Sequence, residues 1–586
     1  MTRPLQTFTA LLCLGLVLSA TPLQAQADNR CGASATPIHQ VQGTGNQSPL
    51  IGQTVTVEGI LVLDARKPGG FSGFYLQQAD HQTDDNPATS EALFVYTRKA
   101  GGSVGQRVRV TGTVKEFHGL TELAPVHNLS VCGQASLPAP INVSLPWSQP
   151  PESLENMRVR FDEPLTVIDN YNLARYGELA LAASDQAIAT EQLAPGPAAR
   201  TLEQQNLAQR ITLDDGLGKQ NPTPVPWLSE RDTVRAGDIV SELEGVLDYR
   251  FGQWRVQPGA VPRFQARNPR PQAPTKSTDS IRIMTLNLQN YFNGDGQGKG
   301  FPTPRGASSL EQFQTQNRKL ARTIQDAHPD ILAVTELEND GYGPNSAAAG
   351  LARTLGADWA VVQTPGRDGN DAIRTALLYR ESRVRPTGPA YRPGPGELPG
   401  ASRPPLAQAF RARGSELTFW VVVPHLKSKS CRHAAAREQD QGDGQGCYSR
   451  QRTLSANAIV IWLQALAGDP ETTPVLITGD LNSYAREAPV EQFQEAGFTS
   501  LVHQYHPCLP MQCEHYTYRY QGQKGTLDYA LASPALMPWV ERAQTWNINA
   551  DEPRALSYHQ TPDQSGPWRS SDHNPVLTDL NLSPTH

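Results

Sequence analysis

Residues 474–482 read Pro-Val-Leu-Ile-Thr-Gly-Asp-Leu-Asn, an apolar run that stops on a carboxylate and an amide. A short apolar segment bounded by Pro and Gly suits a buried strand. Asp480 and Asn482 lie two apart, so in an extended chain both face one side. The pattern recurs through the C-terminal half. Ile281-Arg-Ile-Met-Thr-Leu runs into Asn287, and Asp330-Ile-Leu-Ala-Val-Thr into Glu336. Trp420-Val-Val-Val-Pro runs into His425, with Lys427 two residues on. Leu527-Asp528-Tyr and Ser571-Asp572-His573 complete the series. Between these strands, Leu310 to His328 reads as an amphipathic helix. Gln451 to Ala467 reads as another, with Leu454, Ala458, Ile461, Trp462 and Leu466 on its apolar face. Such alternation predicts an α+β domain whose polar strand ends can meet at one rim.

The residue types suit phosphodiester hydrolysis, which adds negative charge to the phosphoryl and leaving oxygens. Glu336 and Asp572 are hard oxygen ligands of the kind Mg²⁺ or Mn²⁺ takes, and Asn287 adds a neutral amide oxygen or orients those carboxylates. Asp480 can orient or deprotonate a water, or bind a second metal, while Asn482 holds a phosphate oxygen. A carboxylate such as Asp528 on one imidazole nitrogen of His573 fixes its tautomer and raises the basicity of the other. His425 faces the phosphate from the opposite side. Lys427 and Arg374 are candidate substrate-binding cations, Arg374 as a phosphate clamp. Asn293-Gly-Asp295-Gly has the look of a cation-binding turn, with Ca²⁺ as a candidate structural ion, yet it lacks the distal Glu of a helix-loop-helix calcium site.

In order and spacing, these signatures resemble the endonuclease/exonuclease/phosphatase superfamily, the group that includes deoxyribonuclease I and the abasic-site endonucleases. The resemblance implies a four-layer α/β-sandwich over residues 280–586, with the metal at Asn287, Glu336 and Asp572. It also implies a metal-dependent nuclease acting on extracellular DNA, with RNA as a further substrate, and leaving 5′-phosphate ends. A phospholipid-headgroup phosphodiesterase of sphingomyelinase type and an inactive nucleic-acid-binding protein are the alternatives.

The start of the chain reads as an export signal over residues 1–27. Arg3 precedes an apolar run from Ala10 to Ala20, and Ala25-Gln26-Ala27 offers a cleavage site. The run is short for a membrane span, and nothing later is apolar enough for one. A secreted protein is expected, with the periplasm as alternative. Of seven cysteines, Cys13 falls in the signal. Proximity pairs the rest as Cys31–Cys132, Cys431–Cys447 and Cys508–Cys513. A zinc site built from His503, His506, Cys508, Cys513 and His515 competes with the last pair, and an oxidising compartment favours the disulfide. The net charge of −6 excludes binding of a polyanion by bulk positive charge. No stable protein partner is expected.

Residues 28–140 and 141–267 look all-β, with short alternating strands punctuated by Gly and Asn/Asp. The first suits a closed OB-like barrel. The second echoes it, since Asp238-Ile-Val-Ser-Glu-Leu-Glu-Gly-Val-Leu-Asp-Tyr matches the Val108-Arg-Val-Thr-Gly-Thr-Val strand. Phe71, Phe74, Tyr75, Phe117, Tyr249, Phe251 and Trp254 are candidate base platforms. Residues 268–279 form a Pro-rich linker.

Overall fold

The computed structural model describes residues 30–228, 232–365, 368–394, 396–398, 403–508, 513–560 and 566–582. The export signal expected at 1–27 lies outside the described residues.

The first five strands are β1 (Thr54–Asp64), β2 (Gly73–Gln77), β3 (Ala92–Tyr96), β4 (Gln106–Phe117) and β5 (Leu120–Gln134), closed into a barrel in the order β1-β2-β3-β5-β4. All neighbours run antiparallel except β3 and β5. Strand β2 is buried throughout and β3 all but at Tyr96. Their outer face is covered by the next part of the chain. The Gln77 side chain accepts from Arg158 N (2.9 Å), and the Arg250 guanidinium lies 4.4 Å from the rings of both Phe71 and Phe94. Phe74 and Tyr75 are therefore core, not platforms. Phe117, 44% exposed, carries Lys115 over its ring.

Ten further strands follow: β6 (Ile141–Val143), β7 (Arg158–Phe161), β8 (Leu165–Asp169), β9 (Leu179–Ala182), β10 (Gln186–Ala187), β11 (Arg210–Leu213), β12 (Ile239–Ser241), β13 (Glu244–Arg250), β14 (Gln253–Pro258) and β15 (Arg263–Gln265). All but β10 form a nine-stranded sheet in the order β15-β12-β8-β9-β11-β14-β13-β7-β6, so a second five-stranded barrel does not form as such. The difference has a local cause. The single strand expected over 238–249 breaks at Glu242, which takes φ 55°, and the strand before it breaks between Phe161 and Leu165. When β7/β8 and β12/β13 are each taken as one interrupted strand, the pairing cycle is that of the first barrel. The parallel pair is β11 with β14, where the first barrel has β3 with β5.

The C-terminal half stacks two sheets. The first contains β16 (Ser280–Tyr291), β17 (Ile331–Glu338), β18 (Trp359–Val361), β19 (Ile373–Arg380), β28 (Val540–Thr545) and β29 (Val576–Asn581), ordered β18-β19-β17-β16-β29-β28. The second contains β20 (Val384–Tyr391), β21 (Leu406–Ala412), β22 (Thr418–Val423), β23 (Val475–Asp480), β24 (Thr499–Ser500) and β27 (Asp528–Ala532), ordered β20-β21-β22-β23-β27-β24. A hairpin, β25 (Tyr518–Tyr520) and β26 (Gln523–Gly525), pairs in parallel with β10 and so joins the two halves of the chain.

Ile281, Ile283, Ile331, Ala333, Val421, Val423, Leu476, Ala530 and Val576 meet in one core between the sheets. Helix Leu310–Ala327 covers the outer face of the first sheet through Leu320 and Ile324. Helix Ser449–Ala467 covers that of the second, giving four layers. Its buried face is Arg452, Ser455, Ala456, Ile459, Val460 and Leu463; of the face expected, Ala458, Trp462 and Leu466 pack at the edge of this core, while Leu454 and Ile461 are exposed. Arg452 can be fully buried because Cys447 O, Gln445 O and Ser483 Oγ accept from its guanidinium. Among the described residues, no helix is long and apolar enough to cross a membrane.

Candidate active site at the mouth of the sandwich

Strand periodicity delivers the polar residues to one place. In β16, Ile281 and Ile283 point into the inter-sheet core, so Asn287 points the same way at the strand's end. In β23, Leu476 and Thr478 face inward and Asp480 follows; in β27, Asp528 precedes inward Ala530 and Ala532. Thr285 and Thr478 hydrogen-bond across the gap, just behind Asn287 and Asp480. Gly479 is required here, because a Cβ would collide with the Pro424 carbonyl at the close approach of β22 and β23.

Glu336 breaks the alternation. Ile331 and Ala333 face inward, so position 336 would face the outer helices in a regular strand. The register of β17 with β19 shifts between Val334 and Leu337, and Glu336 takes φ 58°, a left-handed conformation unusual for Glu. The bulge turns its carboxylate inward, where Asn290 N donates to it (2.9 Å). Asn290 and Asn482 also take positive φ, at 56° and 48°. Such strain persists only where surrounding contacts fix it, and it gathers at functional sites.

His573 Nδ1 lies 2.6 Å from Asp528 Oδ2. Asp528, Asp480 and His573 form a cluster whose ligand atoms lie within 4.8 Å of one another. Asn287 Nδ2 donates to Asp480 Oδ2 (3.2 Å), and His425 Nε2 stands 3.6 Å from that oxygen. Asn482 N donates to Asp480 Oδ1 (2.8 Å), while its side-chain amide donates to Leu426 O (3.2 Å). Ser571 Oγ donates to Asn287 O (2.6 Å), which ties the Asp572-His573 turn to β16.

The electrostatics follow from burial and neighbours. Burial alone pushes His573 down, but the Asp528 carboxylate outweighs it and holds the imidazole up at about 10. Burial raises Asp480 to about 7, with the like charge of Asp528 adding to it. Burial pushes His425 well below the usual histidine value, reinforced by the Arg403 guanidinium, so His425 is a neutral imidazole. Burial raises Glu336, and the neighbouring Asp572 charge raises it further. Two carboxylates facing one another in a recess are unfavourable unless a cation lies between them. Both are only half-buried, so an ion has access, and the donor set fits a hard divalent cation.

Of the ten expected site residues, the structure gathers Asn287, Glu336, His425, Asp480, Asn482, Asp528, Asp572 and His573. Arg374 is not a free clamp. It is 1% exposed, its Nη1 pairs with Asp368 (2.6 Å) and its Nη2 donates to Gly341 O (2.7 Å). Lys427 lies 4.9 Å over the Tyr448 ring. Asp295 accepts from Gln297 N and Lys299 N (both 2.8 Å) and so caps its own loop as a turn. Cys508 and Cys513 are bonded to each other, as are Cys31 with Cys132 and Cys431 with Cys447, which removes the zinc alternative. Two cations escaped the sequence reading. Arg403 Nη1 lies 3.1 Å from His425 Nε2, and Arg569, with φ 57°, donates to Asn549 O (2.8 Å) three residues before Asp572. Both sit in irregular segments, where no periodicity marks an inward residue.

Residues 284–573 match the model of the Endonuclease/Exonuclease/phosphatase family. This part of the chain belongs to that family. Residues 151–266 match a Domain of unknown function (DUF8508). No curated protein matches. Among solved structures, the endonuclease/exonuclease/phosphatase domain is similar to the human Nocturnin catalytic domain with bound sulfate anion, at 17% identity and TM-score 0.33, over 53% of this chain and 97% of that one. D. rerio TDP2 complexed with single strand DNA product gives 17% identity and TM-score 0.33, over 52% and 99%. The Bacteroides thetaiotaomicron mannosyl-6-phosphatase gives 16% and 0.35, over 51% and 99%.

Proposed function

We propose that the protein is a secreted, metal-dependent nuclease that hydrolyses phosphodiester bonds of extracellular DNA, with RNA as a further substrate, leaving 5′-phosphate ends. The observation that carries this is the opposed pair of devices at one mouth. The Asp528–His573 dyad and Asp480 stand on one side, and the Glu336–Asp572 carboxylates on the other. A hydrolase of an anionic ester needs both, a proton-handling pair and a place for compensating positive charge.

Glu336 and Asp572, with the Asn287 amide oxygen, would hold Mg²⁺ or Mn²⁺. When bound, the ion offsets charge on the phosphoryl and leaving oxygens. The chain's own residues do the rest. Asp480 orients a water and takes its proton as the water oxygen bonds to phosphorus. Asn482 sets the position of Asp480 through its backbone N–H. His573, with Nδ1 committed to Asp528, presents Nε2 to the ester oxygen and protonates it as the phosphorus–oxygen bond breaks. His425 and Arg403 receive the opposite phosphoryl oxygen.

Export is supported by the signal-like residues 1–27 and by three disulfides, which persist in oxidising compartments. The division proposed is a signal at 1–27, an OB-like barrel at 28–140, a related β domain at 141–267, a linker at 268–279 and the hydrolase at 280–586. Binding of single strands by the first barrel through its strand-2 and strand-3 face is disfavoured, because that face is covered. Incubating the mature protein with supercoiled plasmid, single-stranded DNA and RNA in Mg²⁺, with and without a chelator, tests the reading. Metal-dependent cleavage is expected, and failure on all three substrates would sink it.

A further inference from the structure

A cleft of about 800 Å³ opens between the second β domain and the β25–β26 hairpin of the hydrolase. It is distinct from the catalytic mouth. Its walls carry three aromatic side chains, Trp147, Tyr171 and Trp254, with the amides of Gln253 and Gln521 and the guanidinium of Arg210. Tyr171 is 57% exposed, and its hydroxyl accepts from Arg554 Nη1 of the hydrolase (2.7 Å). Arg210 spans the two domains: its Nε donates to Gln186 Oε1 (2.9 Å) and its Nη1 to Gln521 O (2.6 Å). Its Nη2 is buried without a partner. An orphaned guanidinium N–H is costly unless something hydrogen-bonds it.

The hairpin links the cleft to the catalytic mouth. Tyr518, at one end of the hairpin, packs its ring 4.7 Å from His573. Gln521, at the hairpin tip, lines the cleft. Three residues separate them along the chain, at most about 10 Å, with Gln521 in the turn at φ 47°.

The lining also sets the ligand chemistry. Its acids are engaged: Glu178 takes Arg255 Nη1 and Asn172 Nδ2 (both 3.0 Å), and Asp169 accepts from Tyr171 N (2.8 Å). What the cleft offers is the exposed Tyr171 ring with Arg554 5.0 Å over one face, the half-buried rings of Trp147 and Trp254, and the Gln253 and Gln521 amides, not a field of cations. That suits unpaired bases, whose faces stack and whose edges hydrogen-bond, better than it suits phosphates. It also fits a chain of net charge −6, which has no bulk attraction for a polyanion.

We infer that this cleft holds unpaired bases of the single strand whose adjoining phosphodiester lies at the His573 mouth, with Tyr171 and Trp254 as stacking platforms. The inference rests on the nuclease reading above and adds a base-binding subsite on the second β domain. It makes single-stranded ends or melted strands the substrate that profits from this domain.

The test compares kcat/KM on a single-stranded DNA oligonucleotide long enough to reach the cleft with kcat/KM on a dinucleotide too short to do so. For Tyr171→Ala, the ratio of the first to the second is expected to fall about tenfold, through KM, as for loss of one stacked base. Tyr171→Phe, which keeps the ring and loses the hydroxyl bond to Arg554, is expected to retain the wild-type ratio. Trp254→Ala is read the same way after a thermal melt confirms that it folds. An unchanged ratio in folded Tyr171→Ala and Trp254→Ala overturns the subsite while leaving the nuclease intact. Absence of cleavage of either substrate by the wild type would instead fail the reading beneath it.

Discussion

Asp528→Asn separates catalysis from scaffolding at the dyad. Asp528 is fully buried, its Oδ2 takes His573 Nδ1 at 2.6 Å, and its Oδ1 has no partner. Asparagine preserves the volume and an acceptor oxygen but removes the charge that holds His573 protonated against its own burial. An uncharged partner leaves the imidazole at or below its ordinary value, so at neutral pH most molecules lack the proton needed by the leaving oxygen. Loss of an orienting carboxylate beside a catalytic histidine typically costs about 10²–10⁴-fold in kcat, roughly 3–5 kcal/mol of barrier. Stability should fall as well, because a histidine raised on folding to about 10 stabilises at neutral pH and that contribution goes with the Asp528 charge, offset in part by relief of the repulsion that raises Asp480. The assay is plasmid or oligonucleotide cleavage at saturating metal, paired with a melt of the same preparation. A drop of at least about a hundredfold is expected at a temperature where the variant is still folded, with a lowered Tm at neutral pH. Wild-type turnover in the folded variant would refute the dyad's role, and a drop that tracks unfolding would make Asp528 merely structural.

Other perturbations follow from single contacts. Arg374→Met removes one of two cations on the buried Asp368, which keeps Arg392, and should cost about 1–3 kcal/mol in a denaturant melt, with KM unaffected; a raised KM would restore Arg374 as a phosphate clamp. Arg403→Met, by contrast, should raise KM and lower kcat about tenfold or more, because it removes the cation against His425. Glu336→Gln should weaken activation by Mg²⁺ at least tenfold, measured as the metal concentration for half-maximal rate, while Mg²⁺ should raise the Tm of the wild type more than that of the variant. Asp185 is held at about 2: burial pushes it up, but Arg519 and Lys524 outweigh that. A carboxylate depressed on folding stabilises fully above its unfolded value near 4 and loses that contribution as pH falls through about 2, here about 2 kcal/mol. The stability gap between wild type and Asp185→Asn should therefore be full at pH 7 and shrink below about pH 4.

The catalytic half was legible because a physical period carried it. Alternation in β16, β23 and β27 places Asn287, Asp480 and Asp528 on the inner face, so apolar runs ending in polar residues were informative. Glu336 reaches the same mouth only through a bulge, which no period announces; its family signature marked it instead. Errors arose where polar groups are buried by distant partners. Arg374 looked like a free cation because Asp368 pairs with it only across a loop. The helix at 451–467 is rotated from the expected face because Arg452 can be satisfied inside by carbonyls of a disulfide-closed loop. The second β domain kept its pairing cycle while its long strands broke at Glu242 and after Phe161.

Least legible of all was how the second β domain braces the dyad. Arg235, 2% exposed, pairs with Glu552 and Asp551 of the hydrolase, and its Nη2 donates to Asn547 O (2.8 Å). Asn170 Nδ2 donates to Asp551 O (2.8 Å), and the Asp551 carboxylate takes Tyr516 OH (2.7 Å) and Arg519 Nε (2.6 Å). Two strands of contact then run to the dyad. Asn549 Nδ2 donates to His573 O (2.7 Å), while Thr517 Oγ1 accepts from Asp528 N (3.1 Å). Both segments that orient Asp528 and His573 thus lean on side chains more than 280 residues away in sequence, as the Thr233–Glu552 bond (319 residues) and the Asn170–Asp551 bond (381 residues) show. Removing Arg235 takes one of two cations from each of these buried carboxylates, since Glu552 keeps Arg270 and Asp551 keeps Arg519, so the cost stays below the roughly 3–5 kcal/mol of a fully stranded charge. Arg235→Met should therefore lower Tm, and at a temperature where the variant remains folded it should also lower kcat with little change in KM. Replacing the whole group, Arg235→Met and Arg270→Met with Glu552→Leu, should recover Tm, because Asp551 keeps Arg519 and no charge is then left unpaired. Whether kcat returns with it decides the matter: recovery of stability without recovery of kcat means that the second β domain sets the geometry of the dyad, and joint recovery means that it only holds the hydrolase folded.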